Sequence, residues 1–277
     1  MNSVYDIVVS LVLYKTSSLE VQKCVHQLIS SQARSHIIIV DNSPSPVKLP
    51  DYSSDRVTVI RPGANLGYGR AHNRAIGLTK GLAPFHLIMN TDVVFMGDVL
   101  EQMLTFMKNN TRVGMSSPLI LYPDGRLQTQ CRLLPSPINL LARGFLDKTA
   151  LTRRMNRIYE MKDWAYDSIE NIPFLPGCFM MIRSDILETV GGFDERFFLF
   201  GEDLDLSRRI YRISQCVFVP TVTIQHELRS RAHFSYQRHL YKTINIVRYF
   251  NKWGWINDRE RRSINLETRR HIFGKYF

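Results

Sequence analysis

Apolar residues in this chain form two kinds of run, continuous and helically spaced. DIVVSLVLY (6–14), HIIIVDNSPSP (36–46), DRVTVIRPG (55–63), FHLIMNTDVVF (85–95) and QCVFVPTVTIQHE (215–227) each hold a continuous or nearly continuous apolar stretch rich in β-branched side chains. Such runs predict strands buried on both faces. SSLEVQKCVHQLISS (17–31) instead carries Leu19, Val21, Cys24, Val25, Leu28 and Ile29 at helical spacing, behind Ser17 or Ser18 as N-cap. GYGRAHNRAIGLTKG (67–81) predicts a helix entered through glycines, and GDVLEQMLTFMKNN (97–110) another. The alternation predicts an α/β domain with a mainly parallel sheet flanked by helices. Ligands of such sheets bind outside the carboxyl ends of the strands. Asp41 and the triplet Asn90, Thr91, Asp92 fall at such ends.

After Val113 the texture changes. GMSSPLILYPDGRLQTQCRLLPSP (114–137) reads as short strands and turns, and residues 138–170 as a mobile surface segment. PFLPGCFMMIRSDILETVGGF (173–193) predicts a loop, a short strand and a helix capped by Ser184. ERFFLFGEDLDLSRRI (195–210) puts an aromatic run and a glycine before Glu202, Asp203 and Asp205, and a helical tail follows His226.

Length and composition fit one large domain or a domain with an appendage: 277 residues, 44% hydrophobic, no repeat. Cys24, Cys131, Cys178 and Cys216 form no Cys-x-x-Cys pair. The expectation is four free thiols in a cytosolic protein, not a zinc site. The first residues read as a strand, not a signal peptide. No apolar stretch reaches the length of a membrane span. The net charge is +11, and its distribution matters more. From Arg229 to Phe277 basic residues mix with Tyr249, Phe250, Trp253, Trp255, Phe273, Tyr276 and Phe277. That mixture points to an anionic membrane surface, or to a plain solvated helical tail. No nucleic-acid motif is present, so nucleic acid is not expected as a partner.

Three stretches carry candidate chemistry. On a strand, Asn90 and Asp92 would share one face, suited to a hard divalent cation completed by phosphates; the other reading is a strand-to-loop turn. Gly67 and Gly69 either let the backbone approach a diphosphate at a helix start or make a plain turn. The dinucleotide fingerprint is not met. Asp41 either accepts a pyrimidine N–H or closes an Asx-turn, and Tyr14 either stacks on the base or is a rim aromatic. His72 either meets phosphate or lies at the surface.

The order of these pieces is more specific than any one of them. Strand–Tyr14, Val-Asp-Asn-Ser (40–43), Asn-x-Gly-x-Gly-x-Ala-x-Asn (65–73), Asn-Thr-Asp (90–92), Pro-Gly-Cys (176–178) and Gly-Gly-Phe-Asp-Glu-x-Phe-Phe-x-x-Gly-Glu-Asp-x-Asp-Leu (191–206) follow in turn. Over residues about 5 to 250 this succession resembles the inverting family 2 glycosyltransferases of GT-A fold, in particular the bacterial rhamnosyltransferase-like group. The resemblance implies a nucleotide-sugar donor, with dTDP-rhamnose preferred, and Mg²⁺ or Mn²⁺. It implies a lipid-linked saccharide acceptor in surface polysaccharide synthesis, and an enzyme peripheral to the inner face of the plasma membrane. By motif position Asp203 is implied as catalytic base. Tyr14, Asp41, Asn65, Gly67, Gly69, Asn73, Asn90 and Asp92 are implied to bind the donor, and Gly177, Cys178 and Glu202 the acceptor. Asp92 and His226 are implied to hold the metal. Thr91 departs from the usual proline, and Asn90 stands where many members have Asp. Asp205 is expected to cap its helix or pair with Arg208 or Arg209. The expected division is a catalytic domain over 1–228, with a nucleotide half (1–113) and an acceptor half (114–228), then a basic aromatic helical tail over 229–277.

Two alternatives belong to other classes. A nucleotidyltransferase would want a basic, glycine-rich signature after the first strand, and VSLVLYKTSS (9–18) lacks it. A non-catalytic nucleotide-sugar or glycan-binding protein would have little need of Asp92, Asp203 and His226 together.

Overall fold

The first apolar run becomes β1 (Ile7–Leu13), which pairs in parallel on both sides, with β2 (Ser35–Asp41) and β4 (Phe85–Met89). It is buried almost throughout because helices cover both faces: α1 (Ser18–Ile29), capped by Ser17 accepting from Glu20 N, and α2 (Tyr68–Ile76). β3 (Val57–Ile60) extends the parallel edge beside β2. The computed structural model describes residues 4–52, 56–139, 149–227 and 236–274.

The later elements are β5 (Val93–Phe95), α3 (Val99–Asn109), β6 (Val113–Leu121), α4 (Ala150–Tyr159), β7 (Glu170–Asn171), β8 (Phe179–Arg183) and α5 (Ser184–Thr189). After them come α6 (Glu202–Tyr211), β9 (Gln215–His226), α7 (Tyr236–Trp253) and α8 (Arg259–Phe273). The strand order is β3-β2-β1-β4-β8-β6-β9-β5, with β7 on β9. β8 runs antiparallel between β4 and β6. Its N-terminal end therefore meets the carboxyl end of β4, and Met89 pairs with Phe179. That arrangement brings Gly177 and Cys178 to the edge where Asn90 and Asp92 stand.

Several expectations need correction. The run 85–95 is two strands, because Asn90 to Asp92 leave β4 and Val93 pairs antiparallel with His226 of β9. Asn90 and Asp92 thus act from a turn, not from one strand face. Ser184 is the first residue of α5 and not its cap; its hydroxyl donates to Ala83 O at 2.8 Å. The segment expected to be mobile contains α4, capped by Thr149. It also holds buried Trp164 stacked on Tyr166 with ring centroids 4.4 Å apart. Residues 140–148 of that segment lie outside the described residues, as do 228–235, Tyr276 and Phe277 of the expected tail.

The rest of the C-terminal segment is packed against the α/β body. Tyr249 and Phe250 of α7 and Ile264 of α8 join Leu134, Phe174, Phe197 and Leu204 in one apolar cluster. Beneath it Arg208 of α6 is almost wholly buried and forms two 2.7 Å bonds to Asp258. Its guanidinium lies 4.2 Å from the Trp253 ring centroid.

Candidate active site

Four chain segments converge at the carboxyl edge of the sheet: the turn after β4, the loop before β8, the start of α6 and the end of β9. The Gly177 peptide ties two of them together. Its N–H donates to Asp203 Oδ2 at 3.2 Å, and its carbonyl accepts from the Tyr68 hydroxyl at 2.7 Å. Tyr68 also reaches Asn90 Oδ1 at 3.1 Å. Asn90 Nδ2 lies 3.3 Å from His226 Nε2, and Asp92 Oδ1 lies 3.3 Å from the same nitrogen. The sequence-predicted Asn90, Asp92, Gly177, Asp203 and His226 thus form one connected group, with Cys178 buried among them.

The three acids of GEDLDL (201–206) have separate environments. Asp205 is fully buried and paired: Arg209 Nε donates at 2.8 Å, Trp253 Nε1 at 2.8 Å, and Lys252 Nζ lies at 2.7 Å. Of its expected roles, the pairing with Arg209 is observed. Glu202 is 5% exposed, and its Oε2 has no hydrogen-bond partner. Burial, reinforced by the adjacent Asp203, pushes its carboxyl up to about 8. Burial raises Asp203 as well, opposed by the Leu204 and Gly177 N–H groups and by the positive charge of Arg132. The geometry assigns the proton shared by the pair to Glu202, whose Oε2 lacks a donor, while two backbone N–H groups bind the Asp203 carboxylate.

Asp92 and His226 fit a divalent cation that takes its other ligands from a substrate. Gln128 Nε2 donates to the His226 carbonyl at 3.5 Å, which leaves Gln128 Oε1 facing His226 Nδ1 at 3.2 Å. The ring proton is therefore assigned to Nδ1 and the Nε2 lone pair to the Asp92 side. Two acceptors then face each other at 3.3 Å, with the Asn90 amide donor 3.3 Å from the same nitrogen, and a positive charge between them is favoured. Without a metal that charge is a proton: although burial lowers the imidazolium, bonding to Asp92 and Cys178 raises it to about 10. Among the described residues no cluster of three or more His, Cys, Asp or Glu could hold an ion alone. Mg²⁺ and Mn²⁺ sites in phosphate-transfer chemistry commonly take one or two protein ligands plus phosphate oxygens.

The nucleotide end is less uniform. Leu13 and Asp41 are paired in register, so Tyr14 and Asp41 stand at neighbouring strand ends. Tyr14 is 46% exposed and Asp41 3%. Both Asp41 oxygens are engaged locally, Oδ1 by Ser43 N at 3.0 Å and Oδ2 by Val47 N at 2.7 Å, so the Asx-turn reading holds. Asn65 Oδ1 accepts from Gly67 N at 3.0 Å. At Gly67 and Gly69 the close approach on the side a Cβ would occupy is made by protein. Gly67 has φ 82, and a Cβ there would run into the Phe198 carbonyl. A Cβ on Gly69 would lie 2.9 Å from Phe193 Cβ. Asn73 is likewise occupied, exchanging bonds of 2.9 and 2.8 Å with the Phe193 backbone. His72 is fully buried, with Nδ1 2.7 Å from Ser10 Oγ, and cannot meet phosphate.

Three site residues were not read from the sequence. Tyr68 bridges Gly177 and Asn90, Gln128 orients His226, and Arg132, bonded to the Phe174 backbone, lends Asp203 its positive charge. Tyr68 lies inside the glycine stretch and was passed over for its neighbours. Gln128 and Arg132 sit in irregular chain that carries no periodicity.

The chain is also similar to known proteins. The profile of Glycosyl transferase family 2 matches residues 11–191. An N-acetylglucosaminyl-diphospho-decaprenol L-rhamnosyltransferase of Mycobacterium tuberculosis is 29% identical over 188 residues, covering 61% of this chain and 58% of that protein. The match thus spans little more than half of the relative's length. A low-salt glycan biosynthesis hexosyltransferase, Agl10, of Haloferax volcanii is 26% identical over 243 residues, 85% of this chain and 72% of that one. Two solved structures share the GT-A architecture. GalNAc-T7 with UDP, GalNAc and Mn²⁺ has a TM-score of 0.65 at 15% identity, covering 90% of this chain and 49% of that one. The mannosyltransferase PcManGT from Pyrobaculum calidifontis with GDP-Man and Mn²⁺ has a TM-score of 0.57 at 14% identity, covering 91% and 66%. At these identities the likeness concerns the fold alone.

Proposed function

This chain belongs to Glycosyl transferase family 2, and we propose that it transfers a hexosyl group, with inversion, from a nucleotide sugar to a hydroxyl of a lipid-linked saccharide. The observation that carries this reading is a half-buried carboxylate, Asp203, held by the Gly177 N–H in the same cleft as Asp92 and His226. Asp203 takes the proton of the acceptor hydroxyl as that oxygen attacks the anomeric carbon. The bond to the donor phosphate breaks on the opposite side, and the nucleoside diphosphate leaves. A divalent ion held by Asp92 and His226 would neutralise charge on that leaving group. Glu202, carrying the shared proton, keeps Asp203 ionised and offers a hydrogen-bond donor toward the acceptor. Residues 1–113 hold the donor in this reading, and 114–228 the acceptor. The name of the mycobacterial relative makes dTDP-rhamnose the first donor to try.

The acceptor's lipid would bring the enzyme to a membrane surface. Among the described residues no helix is long and apolar enough to cross a membrane. The outer face of α7 exposes Leu240, Ile244 and Val247 at helical spacing, followed by Trp255 and the 75% exposed Ile256. α7 contains no acidic residue. Such a face suits peripheral attachment to an anionic bilayer. Its test is vesicle co-sedimentation of an Ile244→Ser, Val247→Ser variant, with phosphatidylglycerol vesicles set against phosphatidylcholine. Truncation near residue 250 is no substitute, because it removes Asp258 from Arg208.

The functional test is nucleoside diphosphate release from a panel of nucleotide sugars with Mn²⁺ or Mg²⁺, alongside Asp203→Asn and a chelator control. Release from one donor, lost in both controls, is the expected result. Absence of both turnover and calorimetric binding for every donor would overturn the reading.

A further inference from the structure

Arg132 is a cation near the base, and its positive charge acts on Asp203. Its backbone N–H donates to Phe174 O at 3.2 Å, and its guanidinium carbon lies 5.9 Å from the Phe174 ring centroid. Phe174 stands three residues before Gly177, whose N–H binds Asp203. Gln128 and Gln130, on the same stretch, are fully used. Gln128 engages His226, and Gln130 donates to Pro118 O at 2.6 Å and accepts from Ile120 N at 2.9 Å. Arg132 is not used in this way. Its Nε is buried without a hydrogen-bond partner, and among the described residues no carboxylate pairs with it. Most of the arginines around α6 are otherwise engaged: Arg208 with Asp258, Arg209 with Asp205, Arg212 with Glu260 and Arg196 with Asp194.

Position and charge together limit what this guanidinium can meet. In an inverting displacement the base and the leaving group lie on opposite sides of the anomeric carbon. Asp92 and His226 mark the leaving-group side, and Asp203 marks the acceptor side. Arg132 belongs with Asp203. An anionic acceptor approaching there meets two acids, buried Glu202 and half-buried Asp203, and needs an opposing positive charge. A guanidinium supplies one, and its planar fork matches phosphate oxygens.

We propose that Arg132 is an acceptor-binding residue whose guanidinium holds the phosphate attached to the acceptor sugar, and so selects glycosyl diphosphate lipids over neutral glycosides. This rests on the glycosyltransferase reading above. It adds the charge of the acceptor and the residue that recognises it. The donor diphosphate is the other source of the same chemistry, and the test separates the two.

The experiment measures KM for donor and acceptor with full-length enzyme and Mn²⁺. One acceptor is N-acetylglucosaminyl diphosphate on a short citronellyl chain, and the other is the uncharged octyl N-acetylglucosaminide. Wild type is expected to favour the diphosphate. Arg132→Gln is expected to raise the KM for that acceptor about 10- to 100-fold, the usual scale for a lost charged hydrogen bond. The neutral acceptor and the donor should shift less than about twofold, and Arg132→Lys should recover part of the loss. A thermal melt confirms that each variant is folded. Equal loss with both acceptors overturns the inference, as does a loss confined to donor KM, which assigns Arg132 to the leaving diphosphate. A wild type that releases nucleoside diphosphate but does not prefer the charged acceptor also overturns it and leaves the function standing. A wild type that binds and turns over no nucleotide sugar overturns both.

Discussion

Asp203 is oriented by Gly177: the Gly177 N–H donates to Asp203 Oδ2 at 3.2 Å while Leu204 N binds Oδ1 at 2.8 Å. Both carboxylate oxygens are thus fixed by backbone, so an amide at this position can keep one of the two bonds and the fold. Asp203→Asn is expected to lower transfer by about 10²- to 10⁴-fold, the usual contribution of a positioned base. Donor affinity by calorimetry should stay within about twofold. Full activity in the variant would remove Asp203 from the chemistry. Unchanged kcat with raised donor KM would move it to binding.

Glu202 makes stability depend on pH. Its folded value is raised from 4.5 to about 8 by burial and by Asp203. The folded chain therefore keeps a proton that the unfolded chain has lost. The contribution is complete below the unfolded value and disappears as pH rises through the folded one, so unfolding free energy falls with pH in that window. His226, raised from 6.5 to about 10, adds a loss of the same sign only above its unfolded value. Buried His72 and His86, held below the ordinary imidazole value of 6.5, add a term of opposite sign, because their unfolded forms bind protons that the folded chain refuses up to that pH. The Glu202 contribution is therefore read in urea unfolding as the difference between wild type and Glu202→Gln. Relative to the variant, wild type should lose up to about 1.4 kcal/mol per pH unit between about pH 5 and 8, and parallel curves for the two proteins would falsify the assignment of the shared proton.

Much of the fold was legible because continuous β-branched runs and one well-capped amphipathic helix carry their own periodicity. β1, α1 and β9 lie close to where the pattern put them. The break between β4 and β5 was not legible. FHLIMNTDVVF (85–95) reads as one strand, and only the pairing of Val93 with His226 separates its ends. The glycines were only partly legible for a related reason. A positive φ at Gly67 marks a close approach, but sequence does not say that the approaching atom is the Phe198 carbonyl. The acids of 202–205 were sorted only by their surroundings, since Asp205 meets Lys252 and Trp253 from α7, far along the chain.

Gln128 should control metal affinity without touching the metal. Its carbonyl oxygen, 3.2 Å from His226 Nδ1, keeps the ring nitrogen on the Asp92 side free to coordinate. Gln128→Leu removes that partner at similar volume. Loss of such an orienting contact typically weakens metal binding about 10- to 100-fold. The Mn²⁺ concentration for half-maximal turnover should rise by that factor, with turnover at saturating Mn²⁺ largely kept. An unchanged Mn²⁺ requirement would mean that His226 is not a ligand or that its orientation is set elsewhere.

Arg208 and Asp258 fasten the C-terminal helices to the helix that carries Asp203. Arg208 is 1% exposed and Asp258 4%, with Trp253 stacked over the guanidinium. Breaking such a pair costs more than the pair contributes, because one buried charge is left without its partner. Asp258→Ala is expected to destabilise the chain by about 3–5 kcal/mol in urea unfolding. Arg208→Met with Asp258→Leu removes both charges of the pair and should recover part of that loss, the remainder being the cap of α8 and the partner of buried Arg261, 3.7 Å from Asp258. Glu260, which lies 2.9 Å from Arg208 and is half-exposed, would stay free to turn to solvent. The double variant separates two roles of the contact. If it is stable yet slow, with donor affinity kept, the ion pair positions α6 and therefore Asp203. If it is stable and fully active, apolar packing of Tyr249, Phe250 and Ile264 is enough to hold the catalytic helix in place. Strict additivity of the two single losses would show that the residues do not act as a pair at all.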